Sequence, residues 1–177
     1  MNKPIVTYWV NLNNRIKKVK HASAELAGSE MPPASDQTDW EGENIMEFIE
    51  GEDCRLFYQV MLQRVRISGK PHTYTYRCDS PGVARYMRMQ LTPEAGNVIR
   101  HDNFLDKERK LIPHIHFYQG DATSMKRCSL CNRLKSGHKW VDLVDENIFH
   151  KDAMTSWPVD YTVCPDCLKK LPGIRRF

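Results

Sequence analysis

Asp53-Cys-Arg-Leu-Phe-Tyr-Gln-Val-Met-Leu-Gln-Arg-Val-Arg-Ile-Ser-Gly-Lys-Pro-His-Thr-Tyr-Thr-Tyr-Arg-Cys78 changes its period part-way along. Up to Ser68, the apolar residues Leu56, Phe57, Val60, Met61 and Val65 recur at helical spacing. Arg55, Gln59, Gln63 and Arg66 fall on the opposite side, so the pattern predicts one long amphipathic helix, Cys54 to Ser68. Asp53 is placed to accept hydrogen bonds from the free amides of the first turn. Gly69 suits the left-handed residue that closes a helix, and Pro71 blocks a restart. From His72 the alternation is two-fold, with Thr73, Thr75 and Arg77 set against Tyr74, Tyr76 and Cys78, which is the mark of a strand. A long helix leading straight into strands predicts an α+β chain.

Downstream, Asp79-Ser-Pro-Gly82 is a dense turn signal. A second strand follows over Val83–Thr92, where Tyr86, Arg88 and Gln90 alternate with Met87, Met89 and Leu91. Pro93-Glu-Ala-Gly-Asn97 is another turn and Val98–Phe104 a third strand, so the three form an antiparallel meander. Upstream, Ile5–Val10 and Arg15–Lys20 flank the turn cluster Asn11-Leu-Asn-Asn14 as a hairpin. Ala22–Ala27 is a short helical stretch and Ser29–Asp39, with Pro32-Pro33, a loop. Asn44–Ile49 predicts one helical turn that packs Ile45, Met46, Phe48 and Ile49 inward. Hairpin and meander together predict a five-stranded antiparallel sheet, one face covered by the helices.

The sharpest motif lies near the C-terminus. Cys128-Ser-Leu-Cys131 and Cys164-Pro-Asp-Cys167 each hold two thiols one tight turn apart. Two such hairpin turns facing each other make a tetrahedral cage of four sulfurs, the donor set that suits Zn²⁺. Residues 132–163 separate the pairs, a longer span than ribbon modules usually have. Iron also accepts four thiolates, so spacing leaves zinc and iron both open. His138 and His150 lie between the pairs as alternates for one thiolate. Lys139–Val144 and Asp160–Val163 look like strands beside the cysteine turns, as in zinc ribbons. A module this small leans on its metal, because about 40 residues is too little chain for a self-sufficient core. The expected organisation is residues 1–110 as a sheet domain, 111–126 as a linker, and 127–177 as the four-cysteine zinc module.

Composition sets outer bounds. The chain has 177 residues, 41% hydrophobic and 27% charged, with a net charge of +4. These are ordinary values for a globular protein. The basic clusters, Arg15–Lys20, Lys107–Lys110 and Arg175-Arg176, are short and read as solvated faces. No apolar run approaches the roughly 18 residues a membrane span requires. The N-terminus lacks a signal-peptide core, and six cysteines, four at metal spacing, fit a reducing compartment. The expectation is a soluble cytoplasmic protein.

Phe48-Ile-Glu-Gly-Glu-Asp-Cys-Arg-Leu-Phe-Tyr-Gln59, Arg64-Val-Arg-Ile-Ser-Gly-Lys-Pro71, Tyr76-Arg-Cys-Asp-Ser-Pro81 and Arg85-Tyr-Met-Arg-Met89 resemble a group of bacterial PAS-like sensory proteins. In that group a long helix ending Gly-x-Pro leads to a strand, an Arg-Cys-Asp-Ser-Pro turn and a second strand. The resemblance continues at the first cysteine pair, at Trp140 and at Val163-Cys-Pro-Asp-Cys167, covering about residues 5–110 and 127–170. It implies a PAS-like sheet with a pocket for a small-molecule ligand, and a homodimer or a signalling-protein partner.

Particular residues bear on a cofactor. Gly51-Glu-Asp-Cys-Arg55 is similar to the flavin-binding LOV motif, with Asp53 in place of its asparagine and the order broken after Arg55. A helix N-terminus lowers a thiol's pKa, which would make Cys54 reactive, but a structural Cys54 is the favoured reading. Haem needs an axial ligand, and His72, His101, His114 and His116 are the candidates. Cys78 reads as a small buried hydrophobe, and Met87 and Met89 with Tyr74 and Tyr76 as core. No nucleophile elbow, phosphate-cradling glycine loop or His-Glu-x-x-His is present. The reading is a non-enzymatic sensory or regulatory module with a structural zinc. The alternative is a zinc-ribbon regulator that binds nucleic acid through Lys126-Arg127, Lys135, Lys139, Lys169-Lys170 and Arg175-Arg176.

Overall fold

A computed structural model describes residues 3–21, 40–80, 82–111, 115–144 and 156–170. The stretches predicted as Ala22–Ala27 helix and Ser29–Asp39 loop lie outside these, as do His114, His150, Arg175 and Arg176. The chain divides into two units that interleave along the sequence. One comprises residues 1–49, 58–76 and 86–106, the other 50–57, 77–85 and 107–177.

The first unit is built on a five-stranded sheet in the order β2-β1-β5-β4-β3. The strands are β1 (Val6–Val10), β2 (Ile16–His21), β3 (His72–Arg77), β4 (Val83–Glu94) and β5 (Val98–Lys110). The last two extend beyond the first unit at one end. β1 pairs antiparallel with β2 and with β5, which puts Tyr8 opposite His101 and Val10 opposite Ile99. The hairpin turn is tightened by Asn11, whose Oδ1 accepts the amides of Asn13 at 3.0 Å and Arg15 at 2.9 Å. Asn44 caps a 3-10 turn, Ile45–Phe48, by accepting the Met46 amide at 3.0 Å. Ile45 and Met46 are buried there, but Phe48, expected inside, is exposed.

The long helix α1 runs Glu52–Ser68. It begins earlier than expected, so Asp53 lies within the first turn instead of capping it. The Arg55 amide reaches back to the Gly51 carbonyl at 3.1 Å. Gly69 closes the helix as predicted, with φ +61° and its amide on the Val65 carbonyl at 3.0 Å. The buried face differs from expectation. Phe57, Met61 and Val65 are inside, but their companions are Cys54, Tyr58 and Leu62, while Leu56 is 59% exposed. Burying Tyr58 requires a partner for its hydroxyl, and the sheet supplies one.

The second unit carries its own five-stranded sheet, in the order β6-β10-β7-β8-β9. These are β6 (His116–Gln119), β7 (Met125–Cys128), β8 (Leu134–Ser136), β9 (Lys139–Val141) and β10 (Ser156–Thr162), followed by the short helix α2 (Pro165–Leu168). β10 is parallel to both β6 and β7, whereas β7, β8 and β9 pair antiparallel. Leu134, Val141 and Val159 form its small core, with Phe117, Leu143 and Tyr161 packed against them.

Candidate metal centre

Parallel pairing of β7 and β10 builds the site. Thr162 lies directly opposite Cys128, so both strands deliver their cysteine turns at the same end of the sheet. The first turn joins β7 to β8. Its ends are held by the Cys128 amide on the Arg133 carbonyl at 2.9 Å and the Asn132 amide on the Cys128 carbonyl at 2.8 Å. Asn132 takes the left-handed conformation, φ +59°, that lets the chain reverse so tightly. The second turn is not a hairpin. Cys164 precedes α2, Pro165 occupies its first turn, and the amides of Cys167 and Leu168 both reach the Cys164 carbonyl at 3.0 Å. The Ser129 amide bonds to the Thr162 carbonyl at 3.0 Å and ties the two turns together.

These constraints converge the four sulfurs. Cys128, Cys131, Cys164 and Cys167 place their Sγ atoms within 4.8 Å of one another, and no disulfide joins them. Cys131 and Cys164 are 3.7 Å apart. A tetrahedral ion with metal–sulfur bonds of about 2.3 Å separates its ligands by about 3.8 Å. Cys128 and Cys164 are fully buried and Cys167 is 3% exposed. The Cys164 amide points at the Cys128 sulfur from 3.4 Å, the kind of backbone support a thiolate receives.

The charges bear on what the cage can hold. Hydrogen bonds from Cys131, then Cys164 and Cys167, hold the Cys128 thiol far below its ordinary pKa. Cys167 is driven upward, by Cys128 first and then by Cys131 and Cys164. Cys128, and less strongly Cys164, are drawn toward the thiolate while Cys131 and Cys167 hold their protons, because several bare thiolates repel each other at this range. A dication removes that repulsion, so the donor set fits a thiophilic metal ion. The group contains neither histidine nor carboxylate. His138, weighed as a substitute ligand, is exposed and outside it.

Two side-chain clusters near these elements were less visible in the sequence. In the second unit the Arg77 guanidinium donates to Asp142 at 2.6 and 2.7 Å and to Asp79 at 3.1 and 2.6 Å. Burial opposes the charge on Arg77, but the two carboxylates raise its pKa above the ordinary value. Its amide also donates to the Leu130 carbonyl, inside the first cysteine turn, at 2.7 Å. Arg127 lies 3.6 Å from Asp79 and stacks over Phe117 at 4.2 Å. The Arg-Cys-Asp turn was the available signal, and the partner Asp142 lies too far along the chain to be read from it.

In the first unit, His101 is fully buried between two tyrosines. Its ring stacks on Tyr8 with centroids 4.5 Å apart, and Nδ1 shares a 2.8 Å hydrogen bond with the Tyr58 hydroxyl. Tyr58 and Tyr8 hydroxyls are 3.2 Å apart, and burial pushes both phenols up. Burial, with Arg66 adding to it, lowers His101 to about 3. Its Nε2 has no hydrogen-bond partner among the described residues. The other haem candidates are placed differently. His72 bonds to Ser68 at 2.9 Å, and His116 is exposed.

Cys54 takes the structural role that the sequence favours over a reactive thiol. It is buried, and its sulfur donates to Ser129 Oγ at 2.8 Å. Burial outweighs the Ser129 hydrogen bond and pushes its pKa up to about 11. Cys78, expected to be buried, is exposed. Comparison of the chain with protein families, curated proteins and solved structures finds no match. Among the described residues no helix is long and apolar enough to cross a membrane.

Proposed function

We propose that the protein is a non-enzymatic cytoplasmic regulatory module of the PAS type, with a structural zinc ion held by Cys128, Cys131, Cys164 and Cys167. The observation that carries this reading is the convergence of four free thiols within 4.8 Å, with no other donor type in the group. Four protein ligands close a tetrahedral ion, leave no position for water or substrate, and favour a structural over a catalytic metal. The regulatory half is supported by the hairpin and meander strands gathered into one sheet, and by the resemblance in residues 48–89. Regulation would pass through a small-molecule ligand of the PAS-like sheet, a protein partner or a homodimer. The buried polar group of Tyr8, Tyr58 and His101 is where an interior ligand would find hydrogen bonds.

The nucleic-acid reading has less behind it. Lys126 is paired with Asp160 at 2.7 Å, Lys169 with Asp166 at 3.4 Å, and Arg127 is buried beside Asp79. Basic side chains already engaged by carboxylates offer phosphates a weaker field.

Metal analysis and an absorbance spectrum of the same purified sample test the proposal. One zinc per chain and no visible absorption are expected. Visible charge-transfer bands would assign iron, and a flavin or haem spectrum would identify an interior cofactor. A chain that holds no metal and takes up no added zinc would overturn the reading.

A further inference from the structure

The first turn of α1 is fastened to both cysteine turns. Asp53 accepts a hydrogen bond from Thr162 Oγ1 at 2.6 Å. The Cys54 thiol donates to Ser129 Oγ at 2.8 Å and lies 3.7 Å from the Thr162 carbonyl. That carbonyl is the same one that accepts the Ser129 amide at 3.0 Å. Gly51, just before the helix, approaches Tyr161 so closely that a Cβ there would lie 2.7 Å from the Tyr161 carbonyl oxygen. Ser129 follows the ligand position Cys128 and Thr162 stands two residues before Cys164. These contacts land on Ser129 in the first cysteine turn and on the last two residues of β10, which leads into the second.

A helix start is the weakest part of a helix, because its first amides have no intrahelical acceptor. The cysteine turns are held by a few backbone hydrogen bonds, and a central ion would add the link that draws their four sulfurs together. A bound metal offsets the conformational entropy lost in fixing their backbone. From this geometry we infer that metal occupancy of the four-cysteine group decides whether the first turn of α1 is formed. With the ion bound, Ser129 and Thr162 are held where Asp53 and Cys54 meet them, and the helix begins at Glu52. Without it the turns relax, these bonds part, and the helix frays back from its N-terminal end. The fraying stops within the helix, because residues from Tyr58 onward have partners of their own. Tyr58 is bonded to His101 at 2.8 Å, and Arg66 donates to the Asn11 carbonyl at 3.0 Å. α1 thus becomes a readout of the metal site. This inference rests on the four cysteines being a metal site.

Hydrogen exchange of the full chain, zinc-loaded and chelator-stripped, with zinc content measured on each sample, tests it. Stripping is expected to speed exchange of the 55–57 amides roughly tenfold or more, the scale of a lost hydrogen bond. Exchange across 61–68 should stay the same. Thr162→Val keeps all four ligands, so it should loosen the 55–57 amides in zinc-loaded protein with zinc content unchanged. Removal of zinc with 55–57 still protected would overturn the inference, as would equal loss across 61–68 or a silent Thr162→Val. A chain that never takes up zinc would overturn the metal reading itself, and this one with it.

Discussion

His101 stays neutral because nothing around it can share a positive charge. It is sealed between Tyr8 and Tyr58, Arg66 adds repulsion, and burial brings its pKa down to about 3 from 6.5. A group that protonates less readily when folded weakens the fold as the pH drops. Between 6.5 and 3 the unfolded chain binds a proton there and the native one does not. Stability is therefore whole above about 6.5 and declines below it, by at most about 1.4 kcal/mol per pH unit. Denaturant titrations of wild type and His101→Gln between about pH 5 and 7 isolate this effect, since acid loss of the metal is common to both. Wild type should show the steeper slope, and equal slopes would refute the assignment. Arg77 presents the opposite case, a buried charge fully matched by Asp79 and Asp142. Arg77→Met strips Asp142 of its cation and leaves Asp79 only the more distant Arg127 at 3.6 Å, and should cost about 3 kcal/mol in urea unfolding. Arg85→Met, which frees the half-exposed Glu108 and the Ser80 hydroxyl, should cost about 1 kcal/mol. Similar costs for the two would show the Arg77 network to be no more than a surface pair.

At the scale of elements, the two glycines that bracket α1 are constrained in different ways. Both have positive φ, +83° at Gly51 and +61° at Gly69. A Cβ at Gly69 meets open space, whereas one at Gly51 runs into the Tyr161 backbone at 2.7 Å. Gly69→Ala should then cost only the conformational strain, about 1 kcal/mol. Gly51→Ala must also push β10 away from the helix and should cost at least twice as much in thermal or denaturant unfolding. Equal costs would mean that the approach to Tyr161 is loose. The ends of α1 were legible from Gly69 and Pro71 because turn chemistry is local. Its buried face was not, since hydropathy ranks Leu56 and Val60 above Tyr58. Only the sheet, by offering His101, makes Tyr58 the better residue to bury. β8 was missed for a related reason: Leu134-Lys-Ser136 is too short to show a period and exists through its pairing with β7 and β9.

In the whole molecule the two units hold themselves together by different means. The antiparallel sheet of the first unit was readable because its strands follow one another through short turns. The parallel pairing of β10 with β7 was not, because it depends on where the connection after β9 returns the chain. That pairing is nevertheless what turns two distant cysteine motifs into one group. The first unit has a large interior of its own: Val10, Ile16, Met61, Leu62, Val65, Leu91 and Ile99 are all sealed from solvent. The second has Leu134, Val141 and Val159 at its centre and the four thiols at the end of its sheet. An ion that binds only the native second unit raises that unit's stability by RT ln(1 + [L]/Kd), about 2.7 kcal/mol at a hundredfold excess over Kd. The first unit has no such term. Calorimetry of the intact chain at several fixed free-zinc concentrations should therefore show two transitions, of which one climbs with zinc and the other stays in place. The moving transition should coincide with loss of protection at residues 125–141 and 156–168, and the stationary one with residues 61–68 and 86–104. A single transition that moves as a whole would mean that the metal stabilises the entire chain, and that the division into a self-supporting sheet and a metal-dependent one does not hold.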